Sequence, residues 1–415
     1  MTLPTAVAAA ACAIALAAPL GAQLPNASAQ AFGMGDNFTA AARGADAAAW
    51  NPANLGLRGN PGFSLRGLSA GGVSGIDPIS WSDVAAYGDR TVPRDVRLSW
   101  LDAVTAAGSQ SGTADGGVTV LALSAGRVGV HVGAAGYASA SMSPDAVEAL
   151  FFGNAGRTGQ PRDLHFGGSS VRGGAFGTAA MSVAQPIGDR LSLGVTGKYV
   201  RGAGVLRAED GGSSVTASDL AVRFPVVVSQ GTNAGAGFGL DLGLAWQSQR
   251  LSLGARVENV VNTFAWDASQ MTYRAGTASF DGTNSSSDFD ERPYAEAPQA
   301  LRDGIAAEKF APTIGGGLAF RQSAKLLVTA DARQQLGGDD AIVIGPKTHV
   351  GVGIESSALH ALPLRAGAAY VTGGWQVAGG AGVRLGAVEL AGAVTLRQQT
   401  QGRAKGIMIN VMNLR

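Results

Sequence analysis

The chain has 415 residues, 62 of them glycine, with 46% hydrophobic and 15% charged residues and a formal net charge of +1. Glycine at about twice its usual share of roughly 7%, without a G-X-Y period, excludes collagen, and interspersed charges of both signs leave no electrostatic footprint for nucleic acid. Past the N-terminus no uninterrupted apolar run reaches about 18 residues, which excludes a spanning helix.

The segment "LPTAVAAAACAIALAAPLGAQ", Leu3 to Gln23, is an apolar core followed by small-residue cleavage sites at Ala22 or Ala29, and residues 1–29 read as a secretory signal peptide. Cys12, the only cysteine, falls inside it, so the exported chain has neither a disulfide framework nor a thiol nucleophile.

Residues 30–60 form the next unit. Ala40, Ala41, Ala42, Ala45, Ala47, Ala48 and Ala49 favour a helix that packs closely against a wall. Pro52 biases Asn51 out of the α region and ends that helix, so the chain turns into its first strand near Phe63.

Residues 61–415 carry a period of two. Leu191, Leu193, Val195 and Tyr199 oppose Ser192, Gly194, Thr196 and Lys198; Leu251, Leu253, Ala255 and Val257 oppose Ser252, Gly254, Arg256 and Glu258. The same pattern runs through Leu240 to Trp246, Leu364 to Tyr370 and Val388 to Leu396. One face is apolar and the other is small, polar or ionised, as expected of an apolar outer band around a polar lumen. Without spanning helices, a chain satisfies its backbone in lipid only as a closed barrel.

Runs near 62–73, 117–125, 127–142, 171–186, 190–206, 214–229, 234–248, 250–265, 271–280, 312–321, 324–335, 341–355, 362–372, 374–385, 387–398 and 406–414 read as strands. The fold class is therefore all-β, a transmembrane antiparallel β-barrel of about 14 strands, range roughly 12–16. Tight turns are expected at Ile187 to Arg190, Gln247 to Arg250 and Arg321 to Lys325. Val92 to Val104 and Ser143 to Gly153 read as helices, and 281–312 as a long external loop with a short helix at Pro298 to Lys309. Trp246, Trp266, Tyr273, Tyr370 and Trp375 fall near strand ends, where interfacial aromatic girdles sit. The polar faces place Arg256, Glu258, Asp331, Arg333, Arg365, Arg384, Glu389 and Arg397 toward the lumen.

Chemistry-bearing motifs are weak. Gly67-Leu68-Ser69-Ala70-Gly71 matches a nucleophile elbow in letters but lacks the following helix. Gly235 to Gly243 and Gly379 to Gly386 resemble dinucleotide loops but sit in strand-like repeats. His131, His165, His349 and His360 are scattered without metal-ligand spacing. The expectation is no catalytic residue, no metal and no cofactor, hence no enzyme.

The stretch "AFGMGDNFTAAARGADAAAWNPANLGL", Ala31 to Leu57, resembles the N-terminal signature of the outer-membrane superfamily of FadL-type hydrophobic-compound transporters and PorV-type secretion proteins. Its elements here are Gly33-Met34-Gly35, Gly44-Ala45-Asp46-Ala47 and Asn51-Pro52-Ala53, with weaker echoes at Val257 to Asp267, Lys309 to Phe320 and Pro363 to Tyr370. The resemblance implies a barrel in the outer membrane of a diderm bacterium, with an N-terminal hatch helix inside the lumen. Hatch residues would be Gly33, Gly35, Asp46, Trp50, Asn51 and Pro52. Implied partners are the lipid bilayer, the barrel-assembly machinery and a hydrophobic small molecule of fatty-acid or hydrocarbon type that passes through an apolar pocket and leaves through the wall. The alternative it implies is a PorV-like partner or anchor for secreted proteins, without transport of its own.

Overall fold

A computed structural model of the protein describes residues 27–281, 283–338, 340–399 and 402–414. Most of the expected signal peptide, including Cys12, lies outside the described residues.

The alternating segments pair into a closed wall of fourteen antiparallel strands. In chain order these are β1 (Phe63–Arg66 continuing as Ser69–Asp77), β2 (Gln110–Ala125), β3 (Val128–Met142), β4 (Ser170–Ile187), β5 (Leu191–Glu209), β6 (Val226–Ser229 continuing as Gly235–Gln247) and β7 (Leu251–Asn262). They continue as β8 (Thr313–Ser323), β9 (Leu326–Gln335), β10 (Thr348–Ser356), β11 (Leu364–Val371), β12 (Gly374–Leu385), β13 (Val388–Gln399) and β14 (Gly402–Leu414). Ring closure is made by β1, which pairs with both β2 and β14.

Each strand sorts its residues by face. Leu193, Val195, Leu242, Leu244, Val350, Val352, Val394 and Leu396 are exposed on the outside, while Ser192, Thr196, Lys198, Asp241, His349, Thr395 and Arg397 are buried inside. The outer band is the lipid-facing surface of a membrane barrel. Among the described residues no helix is long and apolar enough to cross a membrane.

Tight turns close one end of the barrel, and the three expected ones join β4 to β5, β6 to β7 and β8 to β9. The other end carries long loops, the outward side in barrels of this kind. The helices are α1 (Ala29–Gly33) and α2 (Ala45–Trp50) in the N-terminal segment, then α3 (Trp81–Ala85), α4 (Arg94–Ala107), α5 (Pro144–Phe152) and α6 (Gln299–Ala307) in the loops. Ser143 caps α5, its Oγ accepting the Ala146 N–H at 3.3 Å, with Pro144 opening the helix.

Three expected strands divide differently. Of 214–229 only Val226–Ser229 joins the wall, and of 271–280 only Met271–Arg274, the two pairing with each other. Residues 214–215, 220–223 and 277–280 instead form a small five-stranded sheet with 164–165 and 285–288. The third, 341–355, starts as β10 only at Thr348, because the Ile342 N–H is taken up by the Lys309 carbonyl at 3.0 Å. Periodicity reports strand character, not which sheet a strand joins.

Residues 27–57 fill the barrel interior and are buried almost throughout. The expected helix over Ala40–Ala49 is shorter than its alanines imply, since α2 begins at Ala45. Arg43 donates to the carbonyls of Ala40 and Ala42 at 2.9 and 2.8 Å, and Gly44 has φ +60°, so the backbone reverses there. Wall and hatch come within backbone contact. A Cβ on Gly194 of β5 would strike Pro52 and Ala53, and one on Gly367 of β11 would strike Met34 and Gly35. Part of the glycine excess thus makes room for a chain inside the barrel.

Candidate functional site

The lumen is lined by the hatch and by the inward faces of the strands. Gly33 lies against β12, where an added Cβ would come within 3.1 Å of the Gly380 Cα, and Gly35 has φ +65° beside Gly367. Asp46 receives Arg66 Nη2 at 2.5 Å, both side chains buried. Trp50 is 1% exposed, with the Phe38 ring edge-on at 5.8 Å and the guanidinium groups of Arg256 and Arg333 at 5.4 and 6.0 Å from its ring. Asn51 donates from Nδ2 to the Leu244 carbonyl at 3.1 Å and accepts the Ala53 N–H on Oδ1 at 3.1 Å, while Pro52 opens the 3₁₀ turn Pro52–Gly56.

The charged lumen residues fall into three groups. Around Trp50, Arg256 pairs with Glu258 at 2.9 Å, Asp331 accepts the Thr39 N–H at 2.9 Å, and Arg333 faces the indole. Near α1, Arg365 bridges Glu355 and Glu389 at 2.7 and 2.5 Å, Arg384 reaches Glu389 at 2.9 Å, and Gln30 donates to Glu355 at 2.8 Å. Arg397 stands between Gln376 and Asp115, at 3.0 and 3.6 Å. A cavity of about 130 Å³ opens between the first and third groups, where Asp36, Asp115, Arg256, Arg333 and Arg397 meet apolar side chains such as Phe32 and Ile344.

Beside that cavity lies an aromatic cluster. Phe176 of β4 meets Trp266, Phe264 and Phe310 at centroid distances of 5.1, 5.4 and 5.0 Å, and Phe264 meets Phe310 at 5.2 Å. Ile344 both lines the cavity and packs on this cluster, so the two adjoin. At the edge of the cluster the buried carboxylate of Glu308 accepts from Arg172 Nε at 2.8 Å, Tyr137 Oη at 3.0 Å and Trp266 Nε1 at 3.2 Å, with Arg207 Nη1 at 3.5 Å. Burial pushes its pKa up, against the opposing pull of Arg172, the Tyr137 hydroxyl and Arg207.

Trp266 and Tyr273, expected in an outer girdle, are not there. Trp266 belongs to the luminal cluster and Tyr273 is buried with Val205, Val227, Met271 and Leu301. Tyr370 and Trp375 do face outward, 60% and 52% exposed. With Leu253, Leu318, Val350 and Val352 they border a shallow outer depression of about 870 Å³, larger than the luminal cavity but on the lipid side of the wall.

Sequence reading missed Tyr137, Phe176, Phe264, Phe310 and Glu308. The inward parity of Arg256 and Glu258 does not lead on to Phe264, because Asn259 takes φ +56° and Val260 and Val261 are both exposed. Ser69 lies within β1 against Asn410, the first glycine-rich run lies within β6, and the second follows β12 into the turn at Gly386. Among the described residues no group of three or more His, Cys, Asp or Glu is placed to hold a metal ion.

No protein-family model and no curated relative matches the sequence. Solved structures do. The toluene transporter TbuX of Ralstonia pickettii superposes with TM-score 0.52 at 13% identity, over 94% of this chain and 98% of that one. A FadL homologue of Pseudomonas aeruginosa gives 0.51 at 14%, over 95% and 98%. The toluene transporter TodX of P. putida gives 0.50 at 12%, over 93% and 97%. At such identities the likeness is one of fold: the chain has the β-barrel fold of the FadL-type, TbuX and TodX transporter barrels.

Proposed function

We propose that the protein is a passive outer-membrane conduit for hydrophobic small molecules, with residues 30–60 as the hatch that closes its lumen. The observation that carries this reading is the cluster of Phe176, Phe264, Trp266 and Phe310 on strand faces and loops turned toward the lumen. A water-filled pore has no use for four aromatic rings there, whereas a binding site for apolar ligands is lined by such side chains. The fold shared with two toluene transporters supports the same reading. The anchor alternative finds no support in these comparisons.

The test is uptake of radiolabelled toluene and dodecane by liposomes holding the purified barrel, against liposomes holding Phe176→Asp/Phe264→Asp. Faster entry through the wild type and loss of that gain in the double variant is the expected result. Equal entry into protein-free liposomes would sink the proposal.

A further inference from the structure

Glu308 is held by groups that come from four places in the wall. Tyr137 lies on β3, Arg172 on β4, Arg207 on β5 and Trp266 just past β7, whereas Glu308 arrives on the loop immediately after α6. The wall supplies the donors and the loop supplies the anion. Tyr137 Oη and Trp266 Nε1 converge on one carboxylate oxygen, and Arg172 and Arg207 on the other. Phe310, two residues on, packs into the aromatic cluster, so a place for a carboxylate adjoins a place for an apolar body.

Such a donor set is weakened if left without an anion, because Arg172, half-buried, keeps its charge and retains uncharged acceptors such as the carbonyls of Asp340 and Ala341 at 2.6 and 3.2 Å. Glu308 therefore leaves readily only when another carboxylate takes its place. We propose that Glu308 is a tethered stand-in for a ligand carboxylate, and that the site takes apolar carboxylic acids, aromatic ones above all, whose entry exchanges with Glu308 and frees its loop. The inference rests on the conduit reading and narrows it from apolar molecules to apolar acids. Arg207 keeps Glu209 and Asp340 at 2.8 and 3.1 Å, so the exchange leaves it paired.

Equilibrium binding to the purified full-length barrel, followed by Trp fluorescence, is measured with 3-phenylpropionate and with n-propylbenzene, its neutral counterpart. Glu308→Gln is expected to bind the acid about tenfold tighter than the wild type, the worth of one competing charge-assisted contact. Propylbenzene is expected to bind both proteins alike. Equal affinity for the acid in the two proteins, with propylbenzene still bound, overturns the exchange and leaves the conduit reading standing. Failure of both compounds to bind either protein overturns both. The wild type supplies a readout that does not depend on the variant folding: limited proteolysis within 281–312 is expected to speed up several-fold on adding 3-phenylpropionate and not on adding propylbenzene. Unchanged cleavage at saturating acid overturns the proposal.

Discussion

Arg256 holds Trp50 in two ways at once: its Nη1 donates to the Trp50 carbonyl at 2.7 Å, and its guanidinium lies 5.4 Å from the centre of the Trp50 ring. The arginine belongs to the wall and the tryptophan to the hatch, so this pair fastens one to the other. Arg256→Ala removes both contacts together with the 2.9 Å ion pair to Glu258. The expected cost to hatch docking is about 3 kcal/mol. Single-channel conductance in planar bilayers should rise in the variant; an unaltered, closed trace would show that the hatch is held elsewhere.

Gly367 offers a steric test of the same interface. Its inward face touches the Met34 backbone, so Gly367→Val forces the hatch away while β11 keeps its pairing with β10 and β12. Overpacking of this kind costs about 3 kcal/mol. Trypsin should then cut at Arg43 in a barrel that still shows heat-modifiable gel mobility. Resistance at Arg43 would mean that the wall, not the hatch, has yielded.

Glu148 sets a pH dependence in the outer loops. It is fully buried, and burial opposes its ionisation. The hydrogen bonds from Arg162 and from the Arg157 backbone and side chain prevail and hold its pKa at about 2, below the ordinary 4.5. A depressed carboxyl pKa contributes stability that is complete above the unfolded value and is lost as pH falls through the folded one. The fluorescence of Trp100, which packs on Phe151 of α5 at 6.0 Å, should therefore stay level down to about 4.5 and change between there and about 2. The change should be absent in Glu148→Gln; its persistence there would assign it to another group.

A cap at Ser28 separates the two cleavage sites expected for the leader. Ser28 Oγ accepts the Ala31 N–H at 3.4 Å, the Ala29 N–H donates to Asn410 at 3.3 Å, and Ala27 is buried. Cleavage after Ala29 would discard a cap worth about 1 kcal/mol, whereas cleavage after Ala22 keeps it. Intact-mass measurement of the purified protein should find Gln23 first, and a chain starting at Gln30 would contradict this.

The faces of the wall are legible in the sequence wherever lipid and lumen make opposite demands on successive residues, as at Leu193 against Lys198 or Leu244 against Asp241. The end of α2 is legible for a local reason too, since Pro52 acts on Asn51 directly. The true start of α2 is not, because the alanines before Arg43 carry helix propensity and only the observed Arg43 hydrogen bonds and the reversal at Gly44 override it.

By itself, then, the sequence determined a two-faced strand repeated into a closed barrel, and a small-residue segment that breaks before the first strand, because periodicity and helix breaking act over a few neighbouring residues. Only the tertiary structure decided which strands enter the wall and which form the outer sheet. It also decided that Glu308 meets Tyr137 and Arg172 across sequence separations of 171 and 136 residues. The physical reason is that alternation tells each side chain which way to face, whereas barrel closure and the path of the loops choose what it meets.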